Sequence, residues 1–222
     1  IVPAVGGGED AARLAVESDC QTIKLKVAEP GEGLERDIER VAAIREALPA
    51  AKIRIDANGA WSVKDAIKAI KKLDQVAGGL EYVEQPCKTV EDLREVRRKV
   101  NVPIAADESI RRAADPFRVR DLEAADIAVL KVQPLGGVRA CLRIAEQICM
   151  PVTVSSAVET SIGLAASVAL AAALPELPYA CGIGTAHLLT ADVVAEPLKP
   201  VGGSLMVTRP ELDELAYAKV AA

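Results

Sequence analysis

The chain has 222 residues, of which 50% are hydrophobic, and it carries 27 Lys plus Arg against 32 Asp plus Glu, for a formal net charge of -5. This length and apolar content suit one β/α domain with a large core. The mild acidity gives no basic face for nucleic acid, so we exclude a nucleic-acid partner.

The longest apolar stretch, residues 162–174, is shorter than the roughly 20 residues that a membrane-spanning helix needs, so we expect no membrane segment. No charged leader precedes an apolar segment at the first residues, and we expect no signal peptide. The five cysteines form no C-x-x-C pair; they are Cys20, Cys87, Cys141, Cys149 and Cys181. We predict buried free thiols in a reducing compartment, the cytoplasm.

Short apolar runs alternate with amphipathic segments, which predicts strands alternating with helices. The predicted strands are residues 1–5, 22–27, 53–57, 82–84, 104–107, 127–132, 152–155 and 179–183. The predicted helices begin near residue 9, cover 34–48, 63–73, 93–100 and 138–148, and include one segment after 107 and an Ala-rich one after 160. Ser62 and Thr89 are expected to cap two of them. Eight such units favour a parallel sheet closed into a TIM-type (β/α) barrel.

The last thirty residues do not continue this alternation. Gly202-Gly203 is typical of a hairpin turn between two short strands. We therefore predict a catalytic barrel over residues 1–192 and a tail over 193–222 that packs outside it.

Three acidic residues stand where predicted strands end: Asp56, Glu84 and Asp107. Because the carboxyl ends of barrel strands converge on one mouth, these carboxylates are expected to lie together. Three oxygen ligands suit a hard divalent cation such as Mg²⁺. The alternative for Glu84 is a surface acid without a ligand role. Glu108 competes with Asp107 as the third ligand. Because side chains alternate along a strand, only one of these two points inward, and we choose Asp107.

Lysines stand on the strands on either side. Lys24 and Lys26 are two residues apart, so their side chains point to the same face of one strand. Like charge and burial lower a lysine pKa, which makes a base; the alternative is a solvated pair at a strand end. Lys131 lies in an apolar run and requires a carboxylate partner or a function. Asn58, two residues after Asp56, either binds substrate or simply forms an Asn-Gly turn.

Together these residues form the motifs of a known family. The motifs are Lys24-Leu25-Lys26, Asp56-Ala57-Asn58-Gly59, Glu84-Gln85-Pro86, Asp107-Glu108-Ser109 and Lys131. With them the chain resembles the enolase superfamily in its muconate-lactonising branch. The later loops resemble those of actinobacterial members that form o-succinylbenzoate; these loops are residues 130–137, 155–161 and 182–185.

The resemblance implies a TIM-type barrel. In the family, an amino-terminal α+β capping domain precedes this barrel, and we expect that domain to be missing from this chain. It implies Mg²⁺, with Mn²⁺ as a substitute, held by Asp56, Glu84 and Asp107. The metal would bind the substrate carboxylate and stabilise the enediolate. Lys26 would be the base, which later protonates the departing hydroxyl. Lys24 would keep Lys26 partly neutral, and Lys131 would offer positive charge from the opposite face.

The pocket walls follow from the same resemblance: Asn58, Ser155, Gly182, Ile183 and Gly184. The implied reaction is syn dehydration of 2-succinyl-6-hydroxy-2,4-cyclohexadiene-1-carboxylate to o-succinylbenzoate, on the route to menaquinone. Two alternatives stay open: racemisation of N-acylamino acids or epimerisation of dipeptides with the same residues, and a barrel that binds metal without catalysis. The expected partner is a small carboxylate, and the oligomeric state is undetermined.

Overall fold

The computed structural model of the protein describes residue 1 and residues 6–221, without the side chains of His187 and Ala221. The helices are α1 Gly8–Glu17, α2 Leu34–Ala47, α3 Val63–Ala77, α4 Val90–Arg97, α5 Asp115–Asp121, α6 Val138–Ile148, α7 Ser161–Ala173 and α8 Glu214–Ala221, with a 3-10 turn at Ala186–Leu188. The strands are β1 Thr22–Lys26, β2 Lys52–Asp56, β3 Leu80–Glu84, β4 Ile104–Ala106, β5 Ile127–Leu130 and β6 Val152–Val154.

The chain divides into two compact units, which are described separately. Unit 1 is Ile1–Ile110 with Ala114–Ala128, and unit 2 is Arg111–Ala113 with Val129–Ala222. Unit 1 therefore holds β1 to β4 and the first half of β5, and unit 2 holds the second half of β5 and β6.

Unit 1 is a parallel ladder in which each strand pairs with the next strand along the chain. The register aligns the strand ends: Lys26 pairs with Asp56, and Asp56 pairs with Glu84. Glu84 in turn pairs with Ala105, two residues before Asp107. The sheet therefore brings the predicted site residues of this unit to one edge.

The inner strands of this ladder are largely buried on both faces, as expected for parallel sheets covered by helices, whereas β1 alternates buried and part-buried residues. Ile53 and Ile55 of β2 are fully buried, and so is Ile70 of α3. The predicted caps are confirmed: the Ser62 hydroxyl accepts from the Asp65 amide at 3.2 Å, and the Thr89 hydroxyl starts α4 in the same way. These caps mark the start of α3 and α4, immediately after the loops that follow the strand-end acids Asp56 and Glu84.

In unit 2, β6 continues the parallel pattern, and the Ser155 amide donates to the Leu130 carbonyl at 3.0 Å. The predicted eighth strand is wrong. Residues 179–183 contribute one isolated parallel bridge, between Ser155 and Gly182. The physical reason is that Gly182 offers no side chain to pack, which weakens a strand.

Other differences concern the ends of the chain. The predicted first strand covers residues 1–5, and residues 2–5 lie outside the part of the chain that the structure describes. The predicted turn at Gly202-Gly203 is confirmed, with reciprocal bonds between Val201 and Ser204 at 2.9 and 3.1 Å. The tail also contains α8, which the sequence pattern did not predict because this helix has low amphipathicity. None of the helices that the structure describes has the length and apolar character to span a membrane.

Asp192 anchors the segment that precedes the tail. Its carboxylate accepts from the Ser161 hydroxyl at 2.6 Å and from the Ser161 amide at 3.0 Å, at the start of α7. The Ser161 hydroxyl in turn accepts from the Leu198 amide at 2.7 Å. A negative charge at a helix amino terminus is favourable, so one acid fixes both the helix start and the returning chain.

The cysteine prediction is confirmed for two residues and wrong for one. Cys87 and Cys141 are buried free thiols, whereas Cys149 is exposed because it caps the end of α6 in a left-handed conformation. Cys20 and Cys181 are partly buried.

Burial makes the two interior thiols poor nucleophiles. It raises the pKa of Cys87 to about 12 and the pKa of Cys141 to about 11. Only the thiolate reacts, so at pH 8 we expect both to be labelled at least about 100-fold more slowly than Cys149. Timed alkylation with peptide mass spectrometry measures these rates. Equal labelling of Cys149 and Cys87 in the folded protein contradicts the prediction, and labelling in denaturant is the control.

Candidate active site

Two lysines and two buried carboxylates form one cluster at the carboxyl ends of β1 to β3. Lys24 Nζ lies 2.7 Å from Glu84 Oε1 and 3.0 Å from Asp56 Oδ2. Lys26 Nζ lies 2.6 Å from the same Asp56 oxygen. Asp56 and Glu84 are each 1% exposed, whereas the Lys26 side chain is 29% exposed. Of the two lysines, Lys26 is the more accessible to solvent, and hence to a substrate, because the Lys24 side chain is 12% exposed.

The charges of this cluster shift one another. Burial opposes the charged form of Lys24, but the carboxylates of Glu84 and Asp56 outweigh it and raise the Lys24 pKa. Burial also disfavours the charged form of Asp56, yet Lys24 and Lys26 lower its pKa to about 2. The expectation that like charge lowers the pKa of both lysines is therefore wrong for Lys24. The contacts with Glu84 and Asp56 favour the charged form of its amine.

Glu84 shows the opposite shift. Burial, reinforced by the neighbouring carboxylates Asp56 and Asp107, raises the Glu84 pKa to about 8 although Lys24 works against it. Asp56 and Asp107 therefore lie close enough to Glu84 to disfavour its charged form. Asp107 is 3% exposed, so the choice of Asp107 over the more exposed Glu108 as the inward acid agrees with the burial.

Asn58 joins this cluster through both ends of its amide. Its Oδ1 accepts from Lys26 Nζ at 2.6 Å, and its Nδ2 donates to Glu108 Oε1 at 2.9 Å. Asn58 also has a positive φ of 46°, so the turn and the site contact are both present. The side chain thus orients Lys26. Sequence reasoning treated Glu108 only as a rival ligand and missed its contact with Asn58.

The loop after β2 lies directly against the loop after β3. The Gly59 amide donates to the Gln85 carbonyl at 2.7 Å, and Gly59 has a φ of +76°. A Cβ at Gly59 would come within 3.2 Å of the Lys88 Cα. This approach requires glycine, and it fixes the backbone on either side of Asp56 and Glu84.

The three acids Asp56, Glu84 and Asp107 have the donor chemistry of a cation site. Buried oxygen donors that repel one another fit a hard divalent cation. Across the described residues, however, no three His, Cys, Asp or Glu side chains stand together as metal ligands. Asp56 and Glu84 contact lysine amines instead. The donor chemistry fits Mg²⁺, and the ligand set remains a prediction.

The remaining predicted residues lie in unit 2. Lys131 follows β5 and is buried, and the Cys141 thiol donates to its carbonyl at 3.9 Å. Burial raises the pKa of Glu159, and the charge of Lys131 is among the interactions that oppose this shift.

Ser155, Gly182, Ile183 and Gly184 are brought together by the bridge that ends β6. Ser155 is buried, and its hydroxyl lies 3.4 Å from the Gly182 carbonyl. The Ser156 hydroxyl also donates to this carbonyl, at 3.2 Å. Ile183 is buried, and the Gly184 backbone lies close to the Pro200 ring. Their role as pocket walls remains a prediction.

Sequence reasoning overlooked two buried polar residues in unit 1. Gln85 and Arg40 are both 0% exposed, and each contacts the backbone of a predicted site residue, Asp107 and Lys26 respectively. Gln85 could have been noticed as a polar residue between a strand end and Pro86. Arg40 could have been noticed as a cation on the apolar face of a predicted helix, three residues after Asp37.

A parallel β/α domain with paired lysines and carboxylates at its strand ends has the layout of an enzyme domain. The chain belongs to the Enolase C-terminal domain-like family, which matches residues 8–211.

One relative, an o-succinylbenzoate synthase from Thermobifida fusca (strain YX), is 63% identical over 220 residues, covering 99% of this chain and 68% of that protein. Among solved structures, a muconate lactonizing enzyme from Pseudomonas putida has a TM-score of 0.85 at 29% identity, covering 96% of this chain and 63% of that one. The L-Ala-D/L-Glu epimerase from Bacillus subtilis has a TM-score of 0.83 at 29% identity, covering 94% and 60%. The chain thus spans about two thirds of the length of these relatives.

Proposed function

We propose that the protein dehydrates 2-succinyl-6-hydroxy-2,4-cyclohexadiene-1-carboxylate to o-succinylbenzoate, a step towards menaquinone, with Mg²⁺ as its cofactor. The observation that carries the proposal is Lys26. Its amine is partly exposed and is held by Asp56 and Asn58 at the edge where the strand-end acids gather. The resemblance to o-succinylbenzoate synthases supports the choice of substrate.

In this proposal Lys26 carries out both proton transfers. Its neutral amine removes the proton from the ring carbon that bears the carboxylate. The resulting ammonium then gives that proton to the hydroxyl on the same face, which leaves as water while the ring becomes aromatic. Placement by Asp56 and Asn58 keeps the amine within reach of both atoms. No oxidant is required, because the overall change is loss of water.

Lys24 has a different task in this scheme. Because its amine stays charged, it balances the buried carboxylates Asp56 and Glu84. Asp56, Glu84 and Asp107 would hold the divalent cation. The cation, when bound, supplies positive charge for the substrate carboxylate as the α-proton leaves. Lys131 would add a second positive charge, a role that rests on the family resemblance alone.

The two parts of the chain would have different tasks. Residues 1–192 would form the catalytic barrel, and residues 193–222 would pack against an amino-terminal capping domain. Several apolar side chains of this tail are largely exposed, among them Val201, Met206 and Leu215. Ser155, Gly182, Ile183 and Gly184 would line the pocket for the succinyl group. The protein would work in the cytoplasm.

A second candidate is the epimerisation of a dipeptide or the racemisation of an N-acylamino acid. The similarity to the Bacillus subtilis epimerase favours it. Lys26 and Lys131 would then each move a proton at one carbon from opposite faces. A non-catalytic barrel that only binds metal is the third possibility.

One assay separates the three. With Mg²⁺ present, loss of the cyclohexadiene absorbance with formation of one o-succinylbenzoate per substrate supports the dehydratase. The same samples in D₂O with N-succinyl amino acids and with L-Ala-L-Glu test for deuterium at the α-carbon. Exchange without dehydration moves the assignment to the racemase or epimerase. Neither reaction, in a protein that binds Mg²⁺, leaves the non-catalytic barrel.

A further inference from the structure

Gln85 is a fully buried amide directly after β3, between two of the strand-end acids. Its Oε1 accepts from the backbone amides of Asp107 at 3.0 Å and Ser109 at 3.1 Å. Its Nε2 donates to the Cys87 carbonyl at 2.9 Å and to the Ser109 hydroxyl at 2.8 Å. A side-chain amide has two donor hydrogens and two acceptor lone pairs, so all four positions are used.

Three of these bonds join the loop after β3 to the turn after β4, and the bond to the Cys87 carbonyl stays within the loop after β3. The Gln85 amide donates to the Ala105 carbonyl at 2.8 Å, which is the last ladder contact between β3 and the end of β4. Beyond that point, the side chain of Gln85 holds the turn at Asp107 and Ser109. Glu84 precedes Gln85 directly, so each end of the clamp adjoins one of the acids.

The backbone at Gln85 also indicates a site-related role. Its φ is +38°, in the left-handed region that side chains other than glycine and asparagine disfavour. Glycine would adopt this conformation without strain but would provide no side-chain amide. Strained residues held in place by many bonds are concentrated at functional sites.

We propose that Gln85 is a positioning residue that sets the placement of the Glu84 and Asp107 carboxylates and thereby the affinity for a divalent cation. This rests on the cation site in the proposed function. Mutation of a residue that orients metal ligands through hydrogen bonds typically lowers the metal affinity by about 10- to 100-fold. A residue that only closed the loops would change stability and leave that affinity alone.

Arg45 offers a matched control in the same unit. It is also a clamp from a side chain to loop backbone, with Nε 2.6 Å from the Ala77 carbonyl and Nη1 2.8 Å from the Pro49 and Ala51 carbonyls. Those loops precede β2 and β3, at the opposite ends of the strands from the acids. Loss of Arg45 therefore removes a comparable number of bonds without touching the proposed ligands.

The test is Mn²⁺ titration followed by electron paramagnetic resonance, on the wild type, Gln85→Met and Arg45→Met. We expect Gln85→Met to raise the Mn²⁺ Kd about 10-fold or more, and Arg45→Met to lower the Tm while leaving the Kd unchanged. Should Gln85→Met fail to fold, Ser109→Ala removes one arm of the clamp, and we expect about a threefold rise.

The outcomes separate this inference from the proposed function. Wild-type Mn²⁺ affinity in a folded Gln85→Met, or in Ser109→Ala where that variant is used, overturns the positioning role alone. An equal loss of affinity in Arg45→Met also overturns it, because general loosening would then explain both. A wild type that binds no Mn²⁺ overturns the cation site itself.

Discussion

Replacing Lys26 by alanine is expected to lower kcat for dehydration by about 10³- to 10⁴-fold and to leave the fold intact. Removing a general acid–base group costs a factor of this size, and in the proposed reaction Lys26 serves in both steps. The fold survives because Asp56 keeps its second partner, Lys24, at 3.0 Å. The measurement is steady-state turnover, with circular dichroism to confirm the fold.

Lys26→Arg separates the base from the charge. Arginine keeps a positive charge beside Asp56 but does not lose its proton near neutral pH, so it cannot accept the substrate proton. We expect Lys26→Arg to be nearly as inactive as Lys26→Ala. The control is Lys68→Ala on the exposed side of α3, which should turn over like the wild type. Substantial turnover by Lys26→Ala would remove Lys26 as the base.

A folded but inactive Lys26→Ala also separates the two proton transfers that the proposal assigns to Lys26. A base needed for dehydration is needed for α-proton exchange as well, so deuterium exchange from that face should disappear in parallel. Loss of dehydration with retained exchange at the same carbon would mean that Lys26 acts only on the departing hydroxyl.

The sequence predicted which side chains lie together where their placement depends on strand register. Lysines two apart on one strand and acids at successive strand ends must meet when the sheet is parallel, and Lys26, Asp56 and Glu84 do lie in register. Period-two alternation is geometric, and it survives errors of a residue or two in the strand bounds.

Charge balance was harder to predict. The shift of Lys24 depends on which carboxylates come within about 3 Å, and a strand pattern does not give such distances. The same applies to Gln85, whose side chain contacts Asp107 and Ser109 after β4 and Cys87 after β3. Residues 179–183 were predicted as a strand because they are apolar, although glycine there leaves a single bridge.

The largest loss of stability is expected from Arg40→Met. Arg40 is 0% exposed and Asp37 is 3% exposed; Arg40 Nη2 lies 2.5 Å from Asp37 Oδ1. Removing one partner of a buried ion pair leaves the other charge buried alone, at a cost of about 3–5 kcal/mol. Thermal or urea unfolding of the two proteins measures it. Arg36→Met on the exposed side of α2 is the matched control, expected within about 0.5 kcal/mol of wild type.

The pair also supports the strand end that carries the base. Arg40 Nη2 donates to the Lys26 carbonyl at 3.2 Å, and Asp37 Oδ2 accepts from the Ala28 amide at 3.0 Å, where Ala28 has a φ of +62°. The double variant Arg40→Met with Asp37→Leu removes both charges and should recover part of the stability, since no lone charge stays buried. It should not recover turnover, because the backbone after Lys26 still lacks both bonds. Full recovery of turnover in the double variant would show that the pair serves stability only.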